Sequence, residues 1–397
     1  MQWLSSTEWF GDSHCLHGMV RLGVVGQGKE IHPPLFQPLT MKSSMAIQSV
    51  SLKELPVILS VMYRVNKPIF LWGKSGAAKS TSVHNFVERM RRSDYPDFGF
   101  VDLRASQLDP VDTRGLPSVD KEKHIAEWIP FDVFPIEERD GKHGIVLLEE
   151  FNSAAPTVQT SFYEFLFDRR IGKYNLPDGW RVWACGNRDE DGGVTFQVPS
   201  PNANRFAQHI LVEPTIEDYI SNAQKTGIRL DVMAFLRWRP ELLFTYDPQN
   251  PCLTFCTLRT WDYLSHICNA WESDGRDLKD PLFLICAQNC LGEGAGVEFY
   301  GFLDYYRKLP NLDELIRDPE NAQVYSSSDA HLNWAVVCGL YSKADKKNAG
   351  QIIKYAMRMP PEFSVVLVQD CMADVEGFTE CPEMAEWGMK FQDVILD

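Results

Sequence analysis

The sequence predicts an α/β protein, a parallel sheet with flanking helices, continued by an all-helical half. Three observations carry this. Short apolar runs (Ile69–Trp72, Phe98–Leu103, Ile145–Leu148, Trp180–Cys185, His209–Val212) mostly alternate with helical patterns, as strands buried on both faces do. A strand, a loop of small residues and a helix follow one another over 68–92. From about Thr215 the apolar spacing becomes helical throughout. The 397 residues suggest two or three domains. We divide them into an N-terminal arm or small cap (1–44), an α/β domain (45–214), a helical lid (215–310) and a helical C-terminal extension (311–397).

The first 44 residues are the least readable. Gly23-Val-Val-Gly-Gln-Gly-Lys29 has the glycine and lysine spacing of a phosphate loop, but Glu30 follows in place of a hydroxyl, and Pro33-Pro34 prevents a regular helix. A glycine-rich turn between short strands is the reading. Residues 45–65 read as one helix leading into the first strand. Pro68 to Arg92 is the organising stretch. Ile69, Phe70, Leu71 and Trp72 form the strand. Gly73, Lys74, Ser75, Gly76, Ala77 and Ala78 form the loop. Lys79, Ser80 and Thr81 open a helix with Val83, Phe86, Val87 and Met90 on one face. This is the phosphate-binding pattern GxxxxGK[ST], with Ala78 at its last glycine. Small residues let backbone N–H groups surround a phosphate, and the helix N-terminus adds its positive dipole end. The lysine reaches the outer phosphates, and the Ser80 hydroxyl suits Mg²⁺.

Phe98–Leu103 reads as the next strand, and 106–130, with turn residues over 106–117 and a polar stretch over 118–127, as an excursion inserted into the α/β domain, a loop or a hairpin. Gly144-Ile-Val-Leu-Leu-Glu-Glu150 is a buried strand ending in two carboxylates, where open parallel sheets bind their ligands. Glu149 and Glu150 suit Mg²⁺ coordination and polarisation of an attacking water, or are a strand's solvated end. One helix is expected from Ala155-Pro156 to Asp168, then a turn over 173–179. Trp180–Cys185 is a strand ending at Gly186-Asn-Arg188, and Asn187 either orients a water or caps a turn. His209–Val212 is the last strand. Helices are expected at 216–226, 230–237, 260–273, 281–290, 296–308, 313–317, 330–342, 349–357 and 363–372, and Gly292-Glu-Gly-Ala-Gly296 reads as a joining turn.

Composition sets the outer bounds. With 44% hydrophobic and 12% aromatic residues the chain can build large cores, which excludes global disorder. A formal charge of −15 disfavours broad binding to nucleic acid or an anionic membrane. No apolar run reaches transmembrane length and no signal peptide is seen at the N-terminus. Ten scattered cysteines without a CxxC pair read as buried reduced thiols of a cytoplasmic protein.

The order of these motifs resembles the AAA+ ATPases, within them the MoxR-like branch grouped with dynein-related ATPases. Glu149-Glu-Phe-Asn-Ser-Ala-Ala-Pro156 is similar to that branch's Asp-Glu-x-Asn-x-Ala run. Leu176-Pro-Asp-Gly-Trp180, Gly186-Asn-Arg188, Asn204-Arg-Phe206, Phe235-Leu-Arg-Trp-Arg-Pro-Glu-Leu-Leu243 and Thr257-Leu-Arg-Thr-Trp261 follow in the expected order. The resemblance covers about Met45 to the 360s. It implies an ATPase using ATP and Mg²⁺: Gly73–Ala78 as Walker A with Lys79 on the β/γ phosphates, and Ser80 and Glu149 on the metal. Glu150 then activates the water, Asn187 acts as first sensor, and Arg259 is the second sensor from the lid. Arg205 falls where the family places an arginine that acts on the neighbouring subunit's ATP, which implies a ring, typically a hexamer. Either arginine could instead be a buried ion-pair partner. The resemblance also implies a chaperone-like remodeller of a partner protein, a separate chain bearing a von Willebrand A domain, with hairpins near 112–130 and 173–179 facing the pore or partner. The chain departs from the pattern at three places. At Ala78 a positive φ would cost about 1–2 kcal/mol, whereas a helical φ would make the methyl harmless. Glu149 replaces an aspartate, and Thr257-Leu258 stands where a proline is common. A scaffold that holds ATP with weak turnover is the alternative function.

Overall fold

A computed structural model of the chain describes residues 47–396, except 94, 123, 130–131, 192–194 and 250–251. The arm at 1–44 and its Gly23–Lys29 turn lie outside the described residues. In order, the first half contains β1 (Ser49–Val50), α1 (Leu55–Val65), β2 (Ile69–Trp72), α2 (Lys79–Arg92) and β3 (Gly99–Arg104). Then come α3 (Pro110–Arg114), the hairpin β4 (Leu116–Asp120) and β5 (Ile125–Ile129), α4 (Glu137–Asp140) and β6 (His143–Glu149). Next are α5 (Pro156–Ser161), α6 (Tyr163–Asp168), a small hairpin β7 (Arg170–Ile171) and β8 (Tyr174–Asn175), β9 (Gly179–Gly186), α7 (Ser200–Ala203) and β10 (Gln208–Val212).

Six strands form one parallel sheet in the order β1-β10-β2-β9-β6-β3. The expected α/β fold is therefore present. The apolar runs are continuous because side chains alternate between two covered faces. Phe70, Val146, Leu148, Val182 and Ala184 pack with Val158, Phe162 and Phe165 of α5–α6 on one face. Ile69, Leu71, Ile145, Leu147 and Trp183 pack with Leu55 and Leu59 of α1 and Val83 and Phe86 of α2 on the other.

Three local expectations are corrected. The 45–65 segment is not one helix: Ser49–Val50 pairs with β10, and α1 starts at Leu55 with Pro56 in its first turn. Pro56 has no N–H to donate to the Leu52 carbonyl, so no helical hydrogen bond carries its turn backwards. The 155–168 helix breaks at Phe162, which has φ −85 and ψ 2 and is fully buried. The expected turn 292–296 is already helix from Glu293. Gly292 alone makes the turn at φ 95, and Gly296 lets two helices touch, since a Cβ there would lie 2.6 Å from the Gln288 backbone.

The second half is helical: α8 (Ile216–Thr226), α9 (Leu230–Trp238), α10 (Leu258–Ser273), α11 (Pro281–Leu291), α12 (Glu293–Tyr306) and α13 (Leu312–Arg317). It continues through α14 (Ala330–Lys343), α15 (Ala349–Ala356), α16 (Pro361–Asp374) and α17 (Glu383–Leu396), the last not foreseen from sequence. One apolar cluster runs from Tyr219 to Phe391 and includes Phe235, Trp261, Phe299 and Phe302. The joint with the sheet is partly apolar, with Leu52 and Ala78 against the helical cluster, and partly polar. Asp218, in the capping box that starts α8, also accepts from the backbone N–H groups of Leu52 and Lys53, each at 3.0 Å. No helix among the described residues is long and apolar enough to cross a membrane. The cysteines among the described residues are all free.

Candidate functional site

The C-terminal ends of β2, β9 and β6 lie side by side, because β9 sits between the other two and all run parallel. That brings the Gly73–Ala78 loop, Asn187 and the Glu149-Glu150 pair to one edge of the sheet, where ligands of such sheets bind. The loop's backbone explains its composition. Gly73 has φ 155, and a Cβ there would lie 2.7 Å from the Val212 carbonyl oxygen. Gly76 has φ 77, and its Cβ would press on Thr257 at 3.0 Å. Ala78 is left-handed, φ 59 and ψ 25, immediately before α2. The harmless helical geometry considered for it is therefore absent: an alanine occupies a conformation that favours glycine.

Lys79 folds back over this loop. Its Nζ donates to the carbonyl oxygens of Gly73 (2.7 Å) and Lys74 (2.9 Å) and to Oδ1 of Asn187 (2.9 Å). Burial lowers its pKa, with Arg259 pushing the same way and Asp191 and Glu149 opposing. Arg259 thus stands within electrostatic reach of Lys79, from the first turn of α10. That helix is capped by Thr257, whose hydroxyl accepts from the Thr260 N–H. Lys74 lies over the Phe244 ring at 5.6 Å. Ser75 and Thr81 are exposed and Ala77 is buried.

Ser80 and Glu149 both approach Cys185 on β9. The Ser80 Oγ is 4.0 Å from the thiol, and burial, with Glu149 adding, pushes that thiol up to about 12. A hydroxyl and a carboxylate are the hard oxygen donors that Mg²⁺ takes, and few protein ligands suffice for it, so this pair fits the ion. Glu149 also sits 3.9 Å from the Arg104 guanidinium. Glu150 is left-handed, φ 51 and ψ 36, which turns it out of the strand; its Oε2 accepts from Ser106 Oγ at 2.6 Å. Strained backbone at both Ala78 and Glu150 falls at the site, as strain commonly does.

Two residues holding these groups were not singled out from sequence. Buried Asn152 clamps the Asn187 backbone, donating Nδ2 to its carbonyl at 2.6 Å and accepting its N–H at 3.2 Å. Gly186 is glycine because a Cβ would lie 2.0 Å from the Asn152 Oδ1. Ser106, the partner of Glu150, is the other. Asn152 lay inside a recognised run; nothing local distinguished Ser106.

Arg205 is elsewhere. It precedes β10, whose Gln208 pairs with Ile69 at the start of β2, so it lies at the opposite end of the sheet from its own loop. Its Nη1 donates to the Pro201 carbonyl at 2.6 Å, and the guanidinium stacks on Tyr163 at 4.7 Å beside exposed Phe167. Beside the loop a cavity of about 420 Å³ opens between α2 and the helical half, lined by Ala78, Thr81, Ser82, Ile220 and Asp374 among others.

No family model and no curated protein matches the chain. Among solved structures it is similar to NtrX from Brucella abortus in complex with ADP, at 14% identity, 86% of this chain, 70% of that one and a TM-score of 0.36. It is also similar to a presumptive ATPase from Cytophaga hutchinsonii, at 15% identity, 80% of each chain and a TM-score of 0.34. The closed state of Hsp104 with ATPγS and casein gives 14% identity, 45% of this chain, 37% of that one and a TM-score of 0.34. Likenesses this remote say nothing of activity.

Proposed function

We propose that the chain is an AAA+ ATPase of the MoxR-like type that binds ATP with Mg²⁺, hydrolyses it, and uses turnover in a ring of copies to remodel a partner protein. The observation that carries the reading is the meeting of Lys79 with Asn187 at the mouth of the loop, one strand from Glu149. A cation for the outer phosphates and an amide that can hold a water then lie 2.9 Å apart. The 420 Å³ cavity beside Ala78 has room for the base of the nucleotide.

In this reading, Gly73–Ala78 offer backbone N–H groups to the phosphates, and Lys79 exchanges its two loop carbonyls for phosphate oxygens. Ser80 and Glu149 would hold Mg²⁺, which would supply positive charge against the oxygens of the transferred group. Glu150 releases Ser106 and accepts the proton of the attacking water, which Asn187 orients. Arg259 answers the nucleotide from the helical half, and Arg205 serves the site of a neighbouring copy. The partner is a separate protein, such as a von Willebrand A-domain chain, met by the β4–β5 and β7–β8 hairpins. The setting is cytoplasmic, and a nucleic-acid substrate is disfavoured by the acidic balance.

The test is phosphate release by the wild type beside Glu150→Gln and Lys79→Ala. A wild-type rate abolished by both supports the reading; equal background rates in all three overturn it. The left-handed Ala78 favours a second reading, an ATP-holding scaffold with weak turnover. It predicts that Glu150→Gln leaves both rate and ATP affinity at the wild-type level.

A further inference from the structure

Between the two ends of the sheet runs a file of buried amides. At the loop end, Lys79 bonds Asn187, and Asn152 clamps the Asn187 backbone. Two residues on, the Ala154 carbonyl accepts from Gln159 Nε2 at 2.9 Å. The Gln159 carbonyl accepts from Asn202 Nδ2 at 2.9 Å, and the Asn202 carbonyl accepts from the Arg205 N–H at 3.0 Å. Asn152, Gln159 and Asn202 are all essentially inaccessible. The Gln159 and Asn202 side-chain nitrogens each face a carbonyl, which fixes the orientation of both amides. The contacts are therefore continuous from the phosphate lysine to the arginine at the far end.

Gln159 lies in the last turn of α5, so Asn202 also satisfies a carbonyl at that helix end, while the Gln159 side chain returns to the Ala154 carbonyl just before its start. Three polar atoms along the file are buried without a protein partner: Gln159 Oε1, Asn202 Oδ1 and Arg205 Nε. Two of them are complementary, an acceptor on Asn202 and a donor on Arg205, three residues apart in one turn of chain. Unpaired buried polar atoms are costly, so a second arrangement that pairs them competes with the one seen.

We propose that Gln159 and Asn202 are positioning residues that set Arg205 according to the state of the same chain's phosphate loop. When phosphate draws Lys79 away from Asn187, the shift passes through Asn152 and Gln159 to Asn202, and the guanidinium changes partner from the Pro201 carbonyl to the Asn202 amide. The proposal rests on the ATPase reading, with Arg205 acting on a neighbouring copy. It makes each copy's occupancy govern its neighbour's turnover, a coupling between two sites through a discrete two-position element.

The test uses the full chain with Asn202→Ala and, separately, the volume-conserving Gln159→Met, beside Arg205→Ala and Lys79→Ala. Both amide variants are expected to bind a fluorescent ATP analogue as the wild type does, while phosphate release falls ~10-fold or more, the scale of a misplaced catalytic group. Mixing either with Lys79→Ala chains should raise turnover above the sum of the two alone. Without Lys79 nothing holds Asn187 in the empty-loop position, so that neighbour's Arg205 is set as in a phosphate-loaded chain and serves a site that can bind ATP, which an unfolded amide variant could not exploit. Wild-type turnover in both amide variants with a defective Arg205→Ala overturns the proposal alone, as does lost turnover without recovery on mixing. Wild-type turnover in Arg205→Ala overturns the reading beneath it as well. Should Asn202→Ala unfold, Gln159→Met decides by the same criteria.

Discussion

Replacing Ala78 by glycine should not weaken the protein, although alanine-to-glycine changes normally do. Ala78 has φ 59 and ψ 25, the left-handed region, which costs an L residue about 1–2 kcal/mol. Glycine removes that cost but loses about 0.4–1 kcal/mol through the freer unfolded chain. Its missing methyl also forgoes part of the ~0.8 kcal/mol that a buried methylene contributes, since Ala78 packs, half-buried, against the helical core. The balance lies between roughly −0.4 and +1.2 kcal/mol, slightly favourable to glycine. Ala77 is the control. It is buried, lies outside the left-handed region and has no strain to relieve. Ala77→Gly should therefore lose the methyl and the entropy together, about 1.2–1.8 kcal/mol. Urea unfolding of both variants beside the wild type reads the difference, expected to be at least about 1 kcal/mol in favour of Ala78→Gly. ATP affinity of Ala78→Gly should match or exceed the wild type, because the backbone approaches phosphate unobstructed. Equal destabilisation by the two substitutions would refute the assignment of strain to this position.

Three further outcomes follow from the geometry. Gly186→Ala places a Cβ 2.0 Å from the Asn152 Oδ1, so the clamp on Asn187 must open; a loss of ~2–4 kcal/mol is expected in urea unfolding, with loss of the stabilisation that ATP confers. Asp370→Ala removes the partner of buried Arg237, which bonds it from α9 and already has one unpaired nitrogen, and should cost about 3–5 kcal/mol, read the same way. The buried thiols of Cys185 and Cys256, pushed up to about 12, and Cys338, to about 11, are held protonated by the fold. A raised acid contributes stability that is complete below the unfolded pKa and lost as pH rises towards the folded one. Urea midpoints should hold to about pH 8.5 and fall above 9, approaching 1.4 kcal/mol per pH unit per thiol; a flat profile to pH 10 would contradict the burial.

What the sequence disclosed and what it withheld divide along physical lines. The strands were legible because a sheet covered on both faces leaves unbroken apolar runs, and Ile69–Trp72 and Ile145–Leu148 are fully buried. The edge strand Ser49–Val50 was not, since two residues carry no period and pairing with β10 alone makes it a strand. α17 escaped because the ends of the helical half were read from apolar spacing, and only Trp387 and Phe391 of that helix are named in the buried core. At the site, residue types and order were enough to gather Gly73–Ser80, Glu149 and Asn187 on one edge. The angle at Ala78 was not legible: a residue's identity does not state its φ, and both possibilities stood until the backbone was seen.

The clamps were withheld for a deeper reason. Asn152 touches Asn187 across 35 residues and Ser106 touches Glu150 across 44, so neither has a local signature. Yet these contacts decide what the recognised residues do. Asn187 can face Lys79 only because Asn152 occupies both of its backbone groups, and Asn152 fits only because position 186 lacks a side chain. Glu150, turned out by its left-handed backbone, rests on Ser106 rather than at the loop. A motif therefore names the groups that could act, while their readiness to act depends on side chains with no pattern of their own. Under the proposed ATPase reading, control of turnover falls to the buried amides and to one serine. Ser106→Ala should accordingly alter the rate of phosphate release without altering ATP affinity, because it frees a carboxylate that does not touch the loop.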